Sequence, residues 1–363
     1  MIEQIRIENF KSIRSATIPM ENLNVLIGSN GVGKSNFISF FELLSELYKK
    51  ELSRYIMNQG GMDRVLHQGS KHSSFIQGLI DFDNANAFFF KLNQANDNAY
   101  IEYTGDYFNN NKDSTKDYSK RWNKTIWDEN VKESDLLNNK TWRAGYLKGF
   151  LGGYTIYHFH DSSKTAPMRQ PCNIGDNERL RHDASNLAAY LYRLQEKEPQ
   201  TFRLIEGIIR SILPYFKQFK LRIDPLNGNN NIKLEWEEVD SDMYLDAFSF
   251  SDGAIRFIAL VVVLLQPDAP STIIIDEPEL GLHPSAINKL AAIIKKASMK
   301  TQIIIATQSV NLVNCFVPED ILVVDRKDGQ STFNRLSSDD LSSWLEDYSI
   351  GEIWEKNIIG GRP

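Results

Sequence analysis

The chain has 363 residues, with 41 Lys and Arg against 47 Asp and Glu, for a formal charge of −6. A hydrophobic share of 42% and a charged share of 24% argue against a disordered chain, and no strongly basic tail advertises nucleic-acid binding, which leaves room for a local basic groove. Two cysteines, Cys172 and Cys315, exclude a disulfide framework and a four-thiolate zinc site. The first residues lack the layout of a signal peptide, and the longest apolar run, Phe257 to Leu265, is far short of the ~20 residues of a spanning helix. A soluble, cytoplasmic protein with no membrane partner is expected.

Taken in chain order, Ile5 and Ile7 alternate with polar neighbours, Ser15–Met20 forms a second candidate strand, and Asn24–Ile27 a buried third. A helix is expected from Lys34 to about Lys50, with Phe37, Phe40, Phe41, Leu44 and Tyr48 at helical spacing. Strands return at Phe75–Phe82, Ala87–Leu92 and Ala99–Thr104. Residues 105–150 carry the least pattern and read as an insertion with some helix and an exposed tip at Asn109–Asp113; Gly149–His160 reads as a strand. Asp183 is a candidate N-cap for a helix to about Lys197, followed by a helix over Pro199–Phe216 and strands over Gln218–Ile223 and Asn231–Glu237 around the turn Leu226–Asn229. The last third alternates helix and strand: Gly253–Leu265, Thr272–Ile275, Pro284–Ser298, Gln302–Ala306, a short helix, and Ile321–Val324. Near-continuous Ile and Val strands between helices indicate a parallel sheet covered on both faces.

Gly28-Ser29-Asn30-Gly31-Val32-Gly33-Lys34-Ser35 fits the phosphate-loop pattern G-x-x-x-x-G-K-[ST] between a strand and a helix. Its glycines let the backbone curl so that successive N–H groups face phosphate oxygens, and the helix adds its positive end. Lys34 reaches the β- and γ-phosphates and Ser35 is a candidate Mg²⁺ ligand; Asn36 follows on the first helical turn. Downstream, the apolar strand Thr272–Ile275 ends in Asp276 and Glu277. In open α/β sheets ligands gather at such strand ends. Asp276 is then the second candidate Mg²⁺ ligand, and Glu277 the base that polarises water.

Glu279-Leu280-Gly281-Leu282-His283-Pro284, Phe250-Ser251-Asp252-Gly253-Ala254 and Phe10-Lys11-Ser12-Ile13 resemble the ABC-type ATPase heads of the RecF/SMC/OLD group, nearest to short bacterial RecF-like and OLD-like AAA ATPases of antiphage defence operons. The likeness covers the chain apart from about 105–150. It implies an α/β P-loop NTPase fold: a β-rich N-terminal lobe over 1–164, a helical lobe over 165–255 ending in the signature loop, and a parallel-sheet return with a C-terminal tail over 256–363. It also implies that Ser251 and Gly253 bind the γ-phosphate held by a second subunit, with Leu280–His283 lining that dimer interface, so that two ATP molecules are sandwiched between two heads. An ordinary N-cap serine is the simpler reading of Ser251 by itself. Where relatives commonly carry a His that contacts the γ-phosphate, this chain has Gln308, which can hydrogen-bond but cannot act as a cationic acid. Gln68 and Gln77 both remain candidates for the glutamine between the phosphate loop and the signature.

Between Ser35 and Ser251 lie 215 residues with no sustained heptads and no C-x-x-C, which excludes a coiled-coil arm with a zinc hook. Only 54 residues follow Ser309, so a following nuclease domain is not expected and an effector nuclease belongs to another chain. The cluster His158-Phe159-His160-Asp161 suits either a metal site or structural hydrogen bonding. Lys120–Arg143 interleaves basic residues with Trp122, Trp127 and Trp142 and suits DNA, a protein partner or a small core; Arg179, Arg181 and Arg193 are further candidates for a DNA-facing surface. The run Ile350–Lys356 either docks back or offers Trp354 to a partner. The leading expectation is a Mg²⁺-dependent ATPase that dimerises around ATP and controls a separate effector, a nuclease, in antiphage defence. The alternatives are a RecF-like DNA-binding ATPase of DNA repair and a nucleotide-sensing scaffold that does not hydrolyse ATP. A transporter ATPase is the weakest rival.

Overall fold

The computed structural model describes residues 1–82, 86–108, 123–223, 230–241 and 243–362, with the backbone alone at Trp142 and Arg143. The chain divides into two compact units: Met1–Tyr154 together with Val317–Pro363, and Thr155–Phe316. The C-terminal residues therefore group with the N-terminal ones rather than with the preceding helices and strands.

In the first unit, Ile5 and Ile7 are buried along the strand Ile2–Phe10, as their alternation predicts, and Ile2 and Phe10 are buried at its two ends. This strand belongs to a six-stranded antiparallel sheet in the order Ile13–Pro19, Ile2–Phe10, Phe75–Phe82, Asn86–Ala95, Asn98–Phe108, Asn123–Val131. The last strand comes from the stretch read as an insertion. Its polar pattern misleads because Asp128 is buried, accepting from the Thr104 hydroxyl at 2.5 Å, the Ser134 hydroxyl at 2.6 Å and the Asp135 amide at 2.9 Å. A carboxylate satisfied in this way sits in a sheet core, whereas in the sequence it looks solvated. The helix Lys34–Tyr48 buries Phe37, Phe40, Phe41 and Leu44, with Phe40 stacked 6.0 Å from Phe90. The buried strand Leu23–Ile27 runs parallel to Ile321–Lys327, which pairs antiparallel with Gln330–Arg335.

Gly149–His160 is not one strand. The Thr141 hydroxyl caps a helix over Trp142–Leu151, Gly152 and Gly153 end it, and only Tyr154–Tyr157 is extended. Farther along, Trp354 lies on the short helix Ile350–Glu355 with no exposed surface, and its indole N–H donates to Gly361 O. The run thus docks back on its own unit. Trp354→Ala is expected to lower stability by about 3–5 kcal/mol, read as a shift of the urea midpoint.

The second unit carries the parallel pair Thr272–Asp276 and Gln302–Thr307, with the helices Asp252–Leu265 and Pro284–Ser298. Its helical part contains Leu187–Lys197 and Pro199–Ile212. Asp183 does not cap the first of these: its carboxylate accepts from Ser185 N in a local turn, and the helix begins after Asn186. The second helix stops at Ile212 instead of Phe216, because Pro214 lacks an N–H and disfavours helix at Leu213. Asn231–Glu237 splits in two: Asn231–Ile232 pairs with Cys172–Asn173, while Glu235–Glu238 joins Phe216–Lys220 and Tyr244–Asp246. The predicted tip Asn109–Asp113 and turn Leu226–Asn229 lie outside the described residues. Among the described residues no helix is long and apolar enough to cross a membrane.

Candidate functional site

In the first unit, the strand Leu23–Ile27 feeds the loop Gly28–Gly33, and the helix starts at Lys34. Packing demands two of the glycines. A Cβ at Gly28 (φ 153°) would lie 2.3 Å from Val324 O, and one at Gly33 (φ 123°) would lie 2.1 Å from the Ser331 hydroxyl. Both are closer than any side chain tolerates. Lys34 is only 6% exposed, and its ammonium donates to Gly28 O and, at 3.1 Å, to Ser29 O. Gly33 as N-cap offers no side-chain acceptor to the first helical turn, the arrangement that suits an anion there. The loop is braced by contacts that sequence reasoning missed: the Ser331 hydroxyl bonds both Val32 O and the Ser12 hydroxyl, and Asn36 donates to Ser12 at 2.7 Å.

Beside this loop lies a cleft of about 690 Å³ whose lining includes Lys11, Ser12, Asn36, His67, Gln68 and Arg326. Burial draws the Lys11 ammonium below its ordinary pKa, against the opposing influence of Glu42. Of the two candidate glutamines, Gln68 (φ 54°) is in the cleft lining, and Gln77 sits within a strand, opposite Glu8 and Lys91.

In the second unit, Asp276 ends its strand half-buried, and Glu277 leaves it with φ 46°, in the left-handed region. A non-glycine residue there carries about 1–3 kcal/mol of strain, which the surrounding bonds must hold. The Glu277 amide donates to Ala306 O at 2.8 Å, and the Glu277 carboxylate accepts from Gln308 Nε2 at 2.6 Å. Two candidate catalytic side chains thus touch. Burial pushes the neighbouring Glu279 carboxyl above the usual carboxylate range.

Ser251 caps the helix Asp252–Leu265, its hydroxyl accepting from Ala254 N at 3.2 Å. A Cβ at Gly253 would lie 2.3 Å from Gly281 O, so the signature glycine sits against the Glu279–His283 segment, whose Leu280 is 45% exposed. Two buried arginines pin this region. Arg256 donates to Leu280 O, and to Phe159 O and His160 O at 2.8 Å. Arg169 donates to Ala247 O, to Phe250 O at 3.0 Å and to the Asp252 carboxylate at 2.8 Å. The signal for Arg256 was legible as a lone cation beside the longest apolar run; Arg169 had none.

The His158–Asp161 segment serves this scaffold through its backbone, and the His158 amide donates to His182 O at 2.9 Å. Among the described residues no three His, Cys, Asp or Glu side chains are grouped to hold a metal. Arg181 pairs with Asp176 at 2.6 Å and Arg193 with Asp268 at 3.5 Å; Arg179 is exposed. Within Lys120–Arg143, the residues Lys120, Arg121 and Trp122 lie outside the described residues, as do the side chains of Trp142 and Arg143.

Phosphate loop, terminal acids and signature helix on these sheets define the class as an α/β P-loop protein, an ABC-type ATPase head of the RecF/SMC/OLD group. Residues 23–314 match the family described as "AAA domain, putative AbiEii toxin, Type IV TA system", and the chain belongs to that family. Among curated proteins it is similar to the Old nuclease of Escherichia phage P2, 21% identical over 357 residues that take in 86% of this chain and 57% of that protein. The chain therefore spans little more than half the length of that relative. Among solved structures, an Smc head bound to the C-winged helix domain of ScpA superposes with a TM-score of 0.58 at 18% identity, covering 94% of this chain and 99% of that one. The Smc head with an extended coiled coil, bound to the C-terminal domain of ScpA derived from Pyrococcus furiosus, gives 0.54 at 15% identity, with 95% and 98% covered. These likenesses establish the fold.

Proposed function

We propose that this ATPase head binds ATP with Mg²⁺, dimerises around it and hydrolyses it to control an effector. The observation that carries this reading is the phosphate loop, with its buried Lys34 and two glycines at which any Cβ would crowd a neighbouring oxygen. Residues 28–36 would hold the phosphates, and the adjoining cleft, which shares Asn36, is roomy enough for a nucleoside. Ser35 and Asp276, a hydroxyl and a carboxylate, are the hard oxygen donors that suit Mg²⁺, which would neutralise phosphate charge. Glu277 takes a proton from water as the water oxygen bonds to the γ-phosphorus and the bond to the leaving ADP oxygen breaks. Ser251 and Gly253, at a helix N-terminus, would meet the γ-phosphate of a second copy.

The effector we favour is a nuclease on a partner chain in antiphage defence. The likeness to the Old nuclease supports a nuclease; its place on a partner chain and the defence setting rest on the resemblance of the motifs. Phosphate release by purified protein tests the ATPase, and light scattering tests the dimer: with ATP the Glu277→Gln variant should double its mass, and a mass unchanged at saturating ATP would sink the sandwich. Expression with the natural neighbouring gene and recovery of an ATP-dependent complex that cuts DNA tests the effector.

One observation favours a second reading. Gln308 is a neutral amide where a His could act as a cationic acid at the γ-phosphate, which suits a head that binds ATP and hydrolyses it very slowly. Single-turnover measurements separate the two.

A further inference from the structure

The chemistry at Glu277 depends on where Gln308 points, and a chain of hydrogen bonds determines that. A carboxylate only accepts, so the Gln308 atom 2.6 Å from Glu277 Oε1 is the amide nitrogen. Gln308 is placed in turn by its predecessor. Thr307, fully buried at the end of the strand Gln302–Thr307, donates its hydroxyl to Glu279 Oε1 at 2.5 Å, and the Gln308 backbone N–H leans on the same oxygen at 3.4 Å. The Thr307 oxygen also accepts from Ser309 N at 2.9 Å, and the Ser309 hydroxyl accepts from Leu312 N. One hydroxyl thus ties the turn after the strand to the acid two residues beyond Glu277.

We propose that Thr307 and Glu279 are positioning residues for hydrolysis: their hydrogen bond fixes the turn that aims Gln308 at the Glu277 carboxylate. The proposal rests on the reading of Glu277 as the base. Its physical basis is leverage. Glu277 holds a strained left-handed backbone at a strand end, where its amide donates to the Ala306 carbonyl, its carbonyl accepts from Leu280 N at 3.2 Å and its side chain accepts from the Gln308 amide. Freeing the turn by an ångström misaligns the base without touching the phosphate loop, and misplacement on that scale costs a rate factor of up to about 100.

Thr307→Val keeps the shape and removes the hydroxyl. Steady-state kinetics should show kcat lower by roughly 10- to 100-fold with KM for ATP within about threefold, the split expected when only the transition state loses an interaction. Thr307→Ser, which restores the hydroxyl, should return most of the lost kcat. Thr307→Val combined with Gln308→Ala should be no slower than the slower single variant, because both act through one contact. If Thr307→Val does not fold, Glu279→Gln, of equal size and still able to accept, should show a smaller kcat loss with the same split. A wild-type kcat in Thr307→Val, a loss carried in KM, or losses that multiply with Gln308→Ala overturn this inference alone, provided that wild-type protein turns over ATP and Glu277→Gln does not. No turnover in the wild type, or normal turnover in Glu277→Gln, overturns the underlying reading and this inference with it.

Discussion

Lys34→Ala is expected to weaken ATP binding by at least about 100-fold, measured by titration calorimetry at fixed Mg²⁺. The Lys34 ammonium is held inside the loop by Gly28 O and Ser29 O, a placement that costs desolvation and is worthwhile only where an anion will sit. A charge-assisted bond to phosphate contributes about 1.5–3 kcal/mol, so losing two of them amounts to a factor of roughly 10²–10⁴ in Kd. The same substitution leaves two carbonyls short of a donor, and some loss of thermal stability should accompany it. Lys34→Arg separates the effects: the longer, planar fork keeps the charge yet cannot repeat the same compact placement. ATP affinity in Lys34→Ala equal to that of the wild type would remove the loop from the nucleotide site.

Glu277→Gln should keep ATP affinity within a few-fold and reduce turnover by about 10²–10⁴, the range for loss of a general base. The substitution preserves size, and the glutamine carbonyl can still accept from Gln308 Nε2, so the left-handed backbone at this position is retained. What disappears is the capacity to take a proton from water. Single-turnover hydrolysis with excess protein isolates that step from product release. Normal turnover would show that another group accepts the proton, and Glu279, whose burial raises its pKa, would be the first to examine. Loss of binding instead of turnover would mean that Glu277 supports the nucleotide site and not the chemistry.

The phosphate loop and the strand ending in two acids were legible in the sequence because each is a contiguous pattern in which every residue has a local reason. Glycines permit the curl, the lysine follows them, and apolar residues run up to the acids. The helix from Lys34 and the parallel Ile-rich strands were legible for the same reason, since a period of 3.6 or a continuous apolar run is visible in a short window. Legibility failed where polar side chains are satisfied at a distance. Asp128 fell in a stretch read as an insertion with some helix and is a buried acceptor within a sheet; Asp183 read as a helix cap and closes a local turn instead, one turn ahead of the helix.

By itself the sequence determined the class of chemistry: which residues can face phosphates, which acids end a strand, and which helix opens with Ser251. Only the tertiary structure decided how those groups are held. Ser331 braces the phosphate loop from 319 residues beyond Ser12, Arg169 reaches the signature region across 78 residues, and Gln308 meets Glu277 across 31. No local period encodes such pairs. Their partners are chosen by which buried carbonyls, hydroxyls and carboxylates remain unsatisfied once the strands and helices have packed, and that is settled in three dimensions.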